Sequence, residues 1–420
     1  MKNSDRGRRP YVRPIQRVEV SEGNVKVRMI LIVVLLSLAV VAIATGLMSS
    51  LRTEPGWNVI ESQAKQINCS QDFSLNYDFS DSGSAANAQF KELTALYSTA
   101  CEDAFFIFSS DVPSEKSDNV YELNARPNEI VTVDPALYDA LTLMKSYLRR
   151  NIYLAPVYAE YNRIFMAGNE VEAADADPAQ NPELVEDIAR LAAFANDPAM
   201  VDVQLLGDNQ VYLFVADEYL TFVKDNEIEK LIDFGWMKNA FIIDYLAQVL
   251  IENGFTNGYL SSFDGFTRNL DTRGNTYSIN VFDRQGSDIY GAAVLNYTAP
   301  QAIVSLRDYP MSGLDQWNYY GFSNGRIATM MIDPRDGMDK ASVDSLLCYG
   351  ANQSCADILL HVAPVFICDE FDARILRADA DIGIYSIWCE DQTIFYTEEQ
   401  PKLTVNPQEN FSYTKVFAGK

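Results

Sequence analysis

The run Met29 to Met48 is twenty residues long, carries no charge and is dominated by Leu, Val and Ile. As a helix rising about 1.5 Å per residue it matches the roughly 30 Å thickness of a bilayer's hydrocarbon core. The segment before it holds eight Lys and Arg residues against three acids, a net of +5. The positive-inside rule keeps that end in the cytoplasm. A cleaved signal peptide is the rival reading, but the basic region and the apolar run are both long and no small-x-small cleavage site follows. The expected layout is a cytoplasmic tail over 1–28, a single-pass signal anchor in the cell membrane over 29–48, a linker over 49–56 and an extracytoplasmic domain over 57–420.

Beyond the tail the chain has 25 basic and 55 acidic residues, a net of −30. Such a charge repels nucleic acid and anionic lipid surfaces, so neither is an expected partner. The same acidity is also what keeps an exported protein in solution. All six cysteines, Cys69, Cys101, Cys348, Cys355, Cys368 and Cys389, fall on the exported side, where disulfides persist. Cys348 and Cys355 flank a short polar loop and Cys368 and Cys389 lie in two successive strand-like runs, which suggests these two pairs; free buried thiols are the alternative.

The 57–420 region mixes amphipathic helices with short strands, which predicts one α+β domain of two lobes with a mostly antiparallel sheet. Asp134-Pro135 opens a helix whose apolar face is Leu137, Leu141, Met144 and Leu148. Residues 169–181 read as a loop, and Pro182 to Phe194 as a second helix. A third helix from Gly235 is apolar on more than one side and stops at Asn253-Gly254. Lys238 and Asp244, inside that helix, therefore need partners or a ligand. Strands are expected at Val211 to Ala216, Asn275 to Phe282, Ile289 to Leu295, Gln301 to Leu306, Arg326 to Asp333, Ala363 to Cys368, Ile382 to Trp388 and Gln392 to Tyr396.

Five stretches carry chemistry. Ile232-Asp233-Phe234-Gly235-Trp236-Met237-Lys238-Asn239 leads to Asp244; Ser262-Phe263-Asp264 and Ser305-Leu306-Arg307-Asp308 follow; and Met330-Met331-Ile332-Asp333-Pro334-Arg335-Asp336-Gly337 precedes Ala356-Asp357 and His361. A carboxylate beside a Pro-x-x-Gly turn, with a second carboxylate opening an apolar helix, can hold a hard cation against a phosphate.

In this order the stretches resemble the motifs of the FAD:protein FMN transferases, the ApbE-like family. The resemblance covers roughly Trp57 to Glu398. It implies a T-fold-like α+β domain that moves FMN from FAD onto a Thr or Ser of an exported acceptor protein, with magnesium on the pyrophosphate. It further implies Asp264 and Asp333 as catalytic residues, Lys238, Asp244, Asp264, Asp308 and Asp333 as flavin-binding residues, and Asp357 and His361 as metal ligands.

This chain also departs from the pattern. Trp236, Ala240, Phe263 and Arg307 stand where the family has glycine, Met330 where it has histidine, and His361 where it has a threonine oxygen. An imidazole suits softer metals than magnesium. The lysine has slipped one position to Lys238, about 100° around a helix, which favours an ion pair with a neighbouring acid. Asp244 and Asp264 can equally cap a helix or brace a turn, and His361, the only histidine, can be held by a neighbour. Three functions remain open on these residues: a tethered flavin transferase, a non-catalytic relative that binds flavin or a partner, and a structural envelope protein.

Overall fold

The computed structural model describes residues 56–64, 72–311 and 318–419. The basic tail, the apolar run 29–48, the linker up to residue 55 and Cys69 lie outside the described residues. Among the described residues no helix is long and apolar enough to cross a membrane. Residues Glu54–Lys420 form one compact unit.

The backbone of that unit is a nine-stranded sheet in the order Trp57–Ile60, Phe73–Asp78, Gly258–Ser262, Phe266–Asn269, Gln301–Arg307, Ser345–Gly350, Tyr385–Glu390, Thr393–Tyr396 and Thr414–Phe417. Every pairing is antiparallel except the last, between Thr393–Tyr396 and Thr414–Phe417. Because successive side chains on a strand point to opposite faces, the central strands feed two separate cores. Ala302, Val304, Leu306, Leu346, Cys348 and Trp388 enter a large cluster with the helices. Ile303, Leu347, Tyr349, Ile387 and Cys389, offset by one position, enter a smaller one. That smaller core is closed by a second sheet of Thr276–Gln285, Asp288–Thr298 and Lys402–Val405. Two cores on the two faces of one sheet, within a single compact unit, stand where two lobes were expected.

On the helical face, Lys238–Glu252 and Cys355–Phe366 pack on each other and on the central strands. The first buries Ala240, Phe241, Ile242, Ile243, Leu246, Ala247 and Leu250, and Gly254 ends it at φ +79°. Pro135–Ser146 forms as expected: the Asp134 side chain accepts from the Ala136 amide, and Leu137, Leu141 and Met144 are buried. Leu148 does not extend this face, because the helix has ended; it sits at φ 53° and is 85 % exposed.

Several expectations are corrected. Within 169–181, Glu170–Ala176 is a helix, started by the Asn169 side chain accepting from the Val171 and Glu172 amides. Ala363 to Cys368 is not a strand; it is mostly the last turn of Cys355–Phe366, a helix whose apolar run is ambiguous by period but whose start carries a Ser354–Asp357 capping box. Pro364 removes an amide from that helix, and the Leu360 carbonyl it would have bonded accepts from Arg149 Nε at 2.8 Å instead. Of Arg326 to Asp333 only Ile327–Thr329 is strand. Cys348 and Cys355 are not bridged: the Cys348 thiol lies 3.2 Å from Ser386 Oγ, and Cys355 donates to the Thr267 carbonyl. Cys368 and Cys389 are free thiols as well.

Candidate functional site

Four of the aligned stretches converge on one small cavity. Trp236 comes from the turn Gly235–Met237, Asp264 from the turn between Gly258–Ser262 and Phe266–Asn269, Arg307 from the end of its strand, and Met330 from the residue after Ile327–Thr329. Two glycines fix this approach. Gly265 has φ +109°, and a Cβ there would lie 2.2 Å from the Ser305 carbonyl oxygen, so only glycine lets the Asp264 turn sit on that strand. Gly235 has φ +55°, and a Cβ there would meet the Tyr158 ring at 2.6 Å, which sets the direction in which Trp236 leaves. The space left between these side chains is about 20 Å³. That is room for about one water molecule.

Asp264 is the acid that faces this space. Its Oδ2 accepts from Asn239 Nδ2 at 2.9 Å, while its Oδ1 is shielded and has no hydrogen-bond partner. Burial pushes its carboxyl up to about 6, against the hydrogen bonds from Ser262 and Asn239. Asp72 is pushed to about 6 in the same way, by burial first and then by the charge of Asp264. Nothing in the sequence around Asp72 signals this pairing, since it arises from the Phe263 amide meeting the Asp72 carbonyl at 3.3 Å across two distant segments.

The other retained acids are held by the scaffold. Asp244 accepts the Cys355 and Ala356 amides at 3.0 and 2.8 Å and pairs with Arg268 at 3.0 Å. It therefore caps the helix Cys355–Phe366 from outside, satisfying amides that have no partner within that helix. Asp308 pairs with Arg284 at 2.7 Å, with burial raising its carboxyl. Lys238 reaches Asp233 at 3.5 Å, the ion pair its position suggested, and Asp233 also accepts the Gly235 amide at 2.7 Å.

Asp333 does not meet Asp264. It borders a separate cavity of about 300 Å³ with Arg149, Arg150 and Arg335. Its carboxylate is engaged by Arg335 at 2.6 Å and Lys340 at 3.2 Å, and it is held below the usual carboxylate range by these hydrogen bonds despite burial.

Asp357 and His361 share one face of their helix, four residues apart. Asp357 Oδ2 accepts from Ser354 Oγ at 2.8 Å, and its Oδ1 lies 3.4 Å from the Tyr147 hydroxyl. His361 Nδ1 lies 3.1 Å from Asp379 Oδ1, with the Tyr147 ring edge-on at 4.9 Å. Tyr147 and Asp379 were not singled out in the sequence; only the fold brings them to this face.

The cavity at Asp264 and the face that carries Asp357 and His361 do not fit FAD with magnesium. The cavity at Asp264 has water-sized room, whereas even small ligand pockets run to about 300 Å³. Asp357 is bound into a helix cap and His361 into a carboxylate pair, and among the described residues no three His, Cys, Asp or Glu side chains are grouped to hold a metal. Magnesium requires a near-octahedral set of oxygens, which this face does not offer.

Known proteins place the architecture. The chain superposes on the ApbE protein of Thermotoga maritima with a TM-score of 0.56 at 12 % identity, over 79 % of this chain and 94 % of that one. A variant of the flavin transferase ApbE from Vibrio cholerae is similar over 79 % of this chain and 92 % of its own, at 14 % identity and a TM-score of 0.47. The fold is therefore the ApbE fold, the one the sequence motifs implied. No protein-family model matches the sequence. No curated protein is detectably similar to it.

Proposed function

We propose that this chain is an ApbE-fold protein that binds a partner and does not transfer FMN. The observation that carries this reading is the cavity of about 20 Å³ where Trp236, Arg307 and Met330 meet Asp264. Two of these side chains stand at positions the resemblance aligns with glycine, and their bulk occupies the volume that a dinucleotide needs. Phosphoryl transfer depends on positioning and charge neutralisation, so a site with neither room nor a free ligand set lacks both requirements. The fold persists because packing and chemistry rest on different residues. The run 29–48 supports a tethered, extracytoplasmic placement, which sulfhydryl labelling of engineered cysteines on either side of the membrane would test.

The decisive experiment titrates FAD into the purified chain, with and without magnesium, while following flavin fluorescence and thermal stability, then assays AMP release with a Thr-containing acceptor peptide. The expected result is no saturable fluorescence change and no AMP. Stoichiometric AMP release would establish a working transferase instead.

A further inference from the structure

A further, roomier cavity touches the first motif stretch only at its edge, at Asp233. It is a groove of about 830 Å³ between the helices Ala155–Phe165 and Val185–Asn196, closed at one end by Asp217–Asp225 and the segment 226–233. Its lining is mixed: Phe222 and Ile228 are half-buried and present apolar surface, while Ile188 and Leu191 belong to the buried core beneath them. Its edge carries Asp187, Asp225, Glu227 and Glu229, all exposed and none with an ion pair among the described residues. Three further acids on the lining are matched, Asp111 and Asp233 by Lys230 and Glu160 by Arg163. Glu227 sits at φ 53° where the Ile228 amide returns to the Val223 carbonyl at 2.9 Å, a turn that sets Glu227 and Glu229 on either side of the inward Ile228.

The groove already shows which group its lining accepts. The Arg190 guanidinium lies over the Phe222 ring, 4.4 Å from its centroid, with no carboxylate partner among the described residues. An aromatic face attracts a cation through its quadrupole, and a rim of unpaired carboxylates raises the local concentration of cationic side chains. Half-buried apolar side chains such as Phe222 and Ile228, flanked by like charges, suit a peptide with aliphatic anchors and basic flanks.

We propose that this groove docks a cationic peptide segment of a partner protein, with aliphatic side chains on Phe222 and Ile228 and basic side chains against Asp225, Glu227 and Glu229. The proposal rests on the partner-binding reading above and gives that partner its chemistry.

The test uses the full chain in mild detergent and a fluorescein-labelled peptide of repeating Lys-Leu, followed by fluorescence anisotropy. Saturable binding that weakens at high salt is expected, with a Glu-Leu peptide inert. Replacing Asp225, Glu227 and Glu229 by lysine together should weaken it at least tenfold, while reversing Glu92, Glu129 and Asp139, exposed acids outside the groove, should leave it within twofold. Phe222→Ala should lower the affinity that remains at high salt. Equal losses from the two charge-reversed sets would reduce the effect to net charge and overturn the proposal, as would the absence of saturable binding. Neither outcome bears on FAD, so failure here is separable from failure of the reading it rests on.

Discussion

Asp244 and Asp264 both match the acids of the family pattern, yet they do opposite things in the fold. Asp244 has its oxygens filled by Arg268 and two helix amides. Asp264 has one oxygen bonded to Asn239 and the other unpartnered beside a space of about 20 Å³. The first is a scaffold acid and stabilises the packing of Lys238–Glu252 against Cys355–Phe366. The second faces a small cavity with one oxygen unpaired, held at a cost because burial penalises its charge. Matching an acid to a motif therefore does not say whether it is free to act.

The contrast can be broken from the scaffold side first. Asp244→Ala leaves Arg268 half-buried without its carboxylate and uncaps a helix, so unfolding by urea should show a loss of about 3 kcal/mol. A loss near zero would mean that Asp244 is available for a ligand. Asp333→Ala should cost about 2 kcal/mol, because Lys340 and Arg335 lose their shared acceptor. If it instead left stability intact while abolishing an activity, the acid would belong with the site.

Asp264→Asn should act in the opposite direction and depend on pH. The folded carboxyl titrates near 6, above the usual carboxylate value of 3.8. A raised value favours folding while the group is protonated, and that contribution fades as pH climbs from about 4 through 6. The neutral Asn escapes the penalty. The variant should gain about 1 to 2 kcal/mol relative to the parent at pH 7.5 and nothing at pH 4, measured by thermal melts at both values. A variant destabilised at pH 7.5 would place a cation at Asp264.

The smallest effect is expected on the His361 face. His361→Gln keeps a donor toward Asp379 and should change stability by no more than about 0.5 kcal/mol. Magnesium or zinc should shift the melting temperature of neither protein. A zinc-induced rise in the parent that the variant lacks would restore His361 and Asp357 as metal ligands.

Much of the scaffold was legible because its signals are local. Asp134-Pro135 and Asn253-Gly254 mark helix ends by their own backbone and side-chain chemistry, and Gln301 to Leu306 reads as the strand it forms, whereas Ser345–Gly350, buried at every position, was not singled out. The lysine slip also read correctly, since Lys238 found Asp233. Ala363 to Cys368 misled because six apolar residues have no distinguishing period, and the capping box that commits them to a helix lies nine residues upstream of Ala363. The cysteine pairs misled because nearness in sequence says nothing of where side chains point: Cys348 faces the helical core and Cys355 turns to the Thr267 carbonyl.

By itself the sequence determined several helix ends, the acidic character and the bulk of Trp236, Phe263 and Arg307 at positions the resemblance aligns with glycine, because composition, caps and side-chain size are properties of single residues. Only the tertiary structure decided which acids are free. Whether Asp333, Asp357 or Asp264 keeps an open oxygen depends on Lys340, Tyr147 and Asn239, partners brought close by chain folding rather than by motif, and hydrogen bonding saturates at the distances that folding sets.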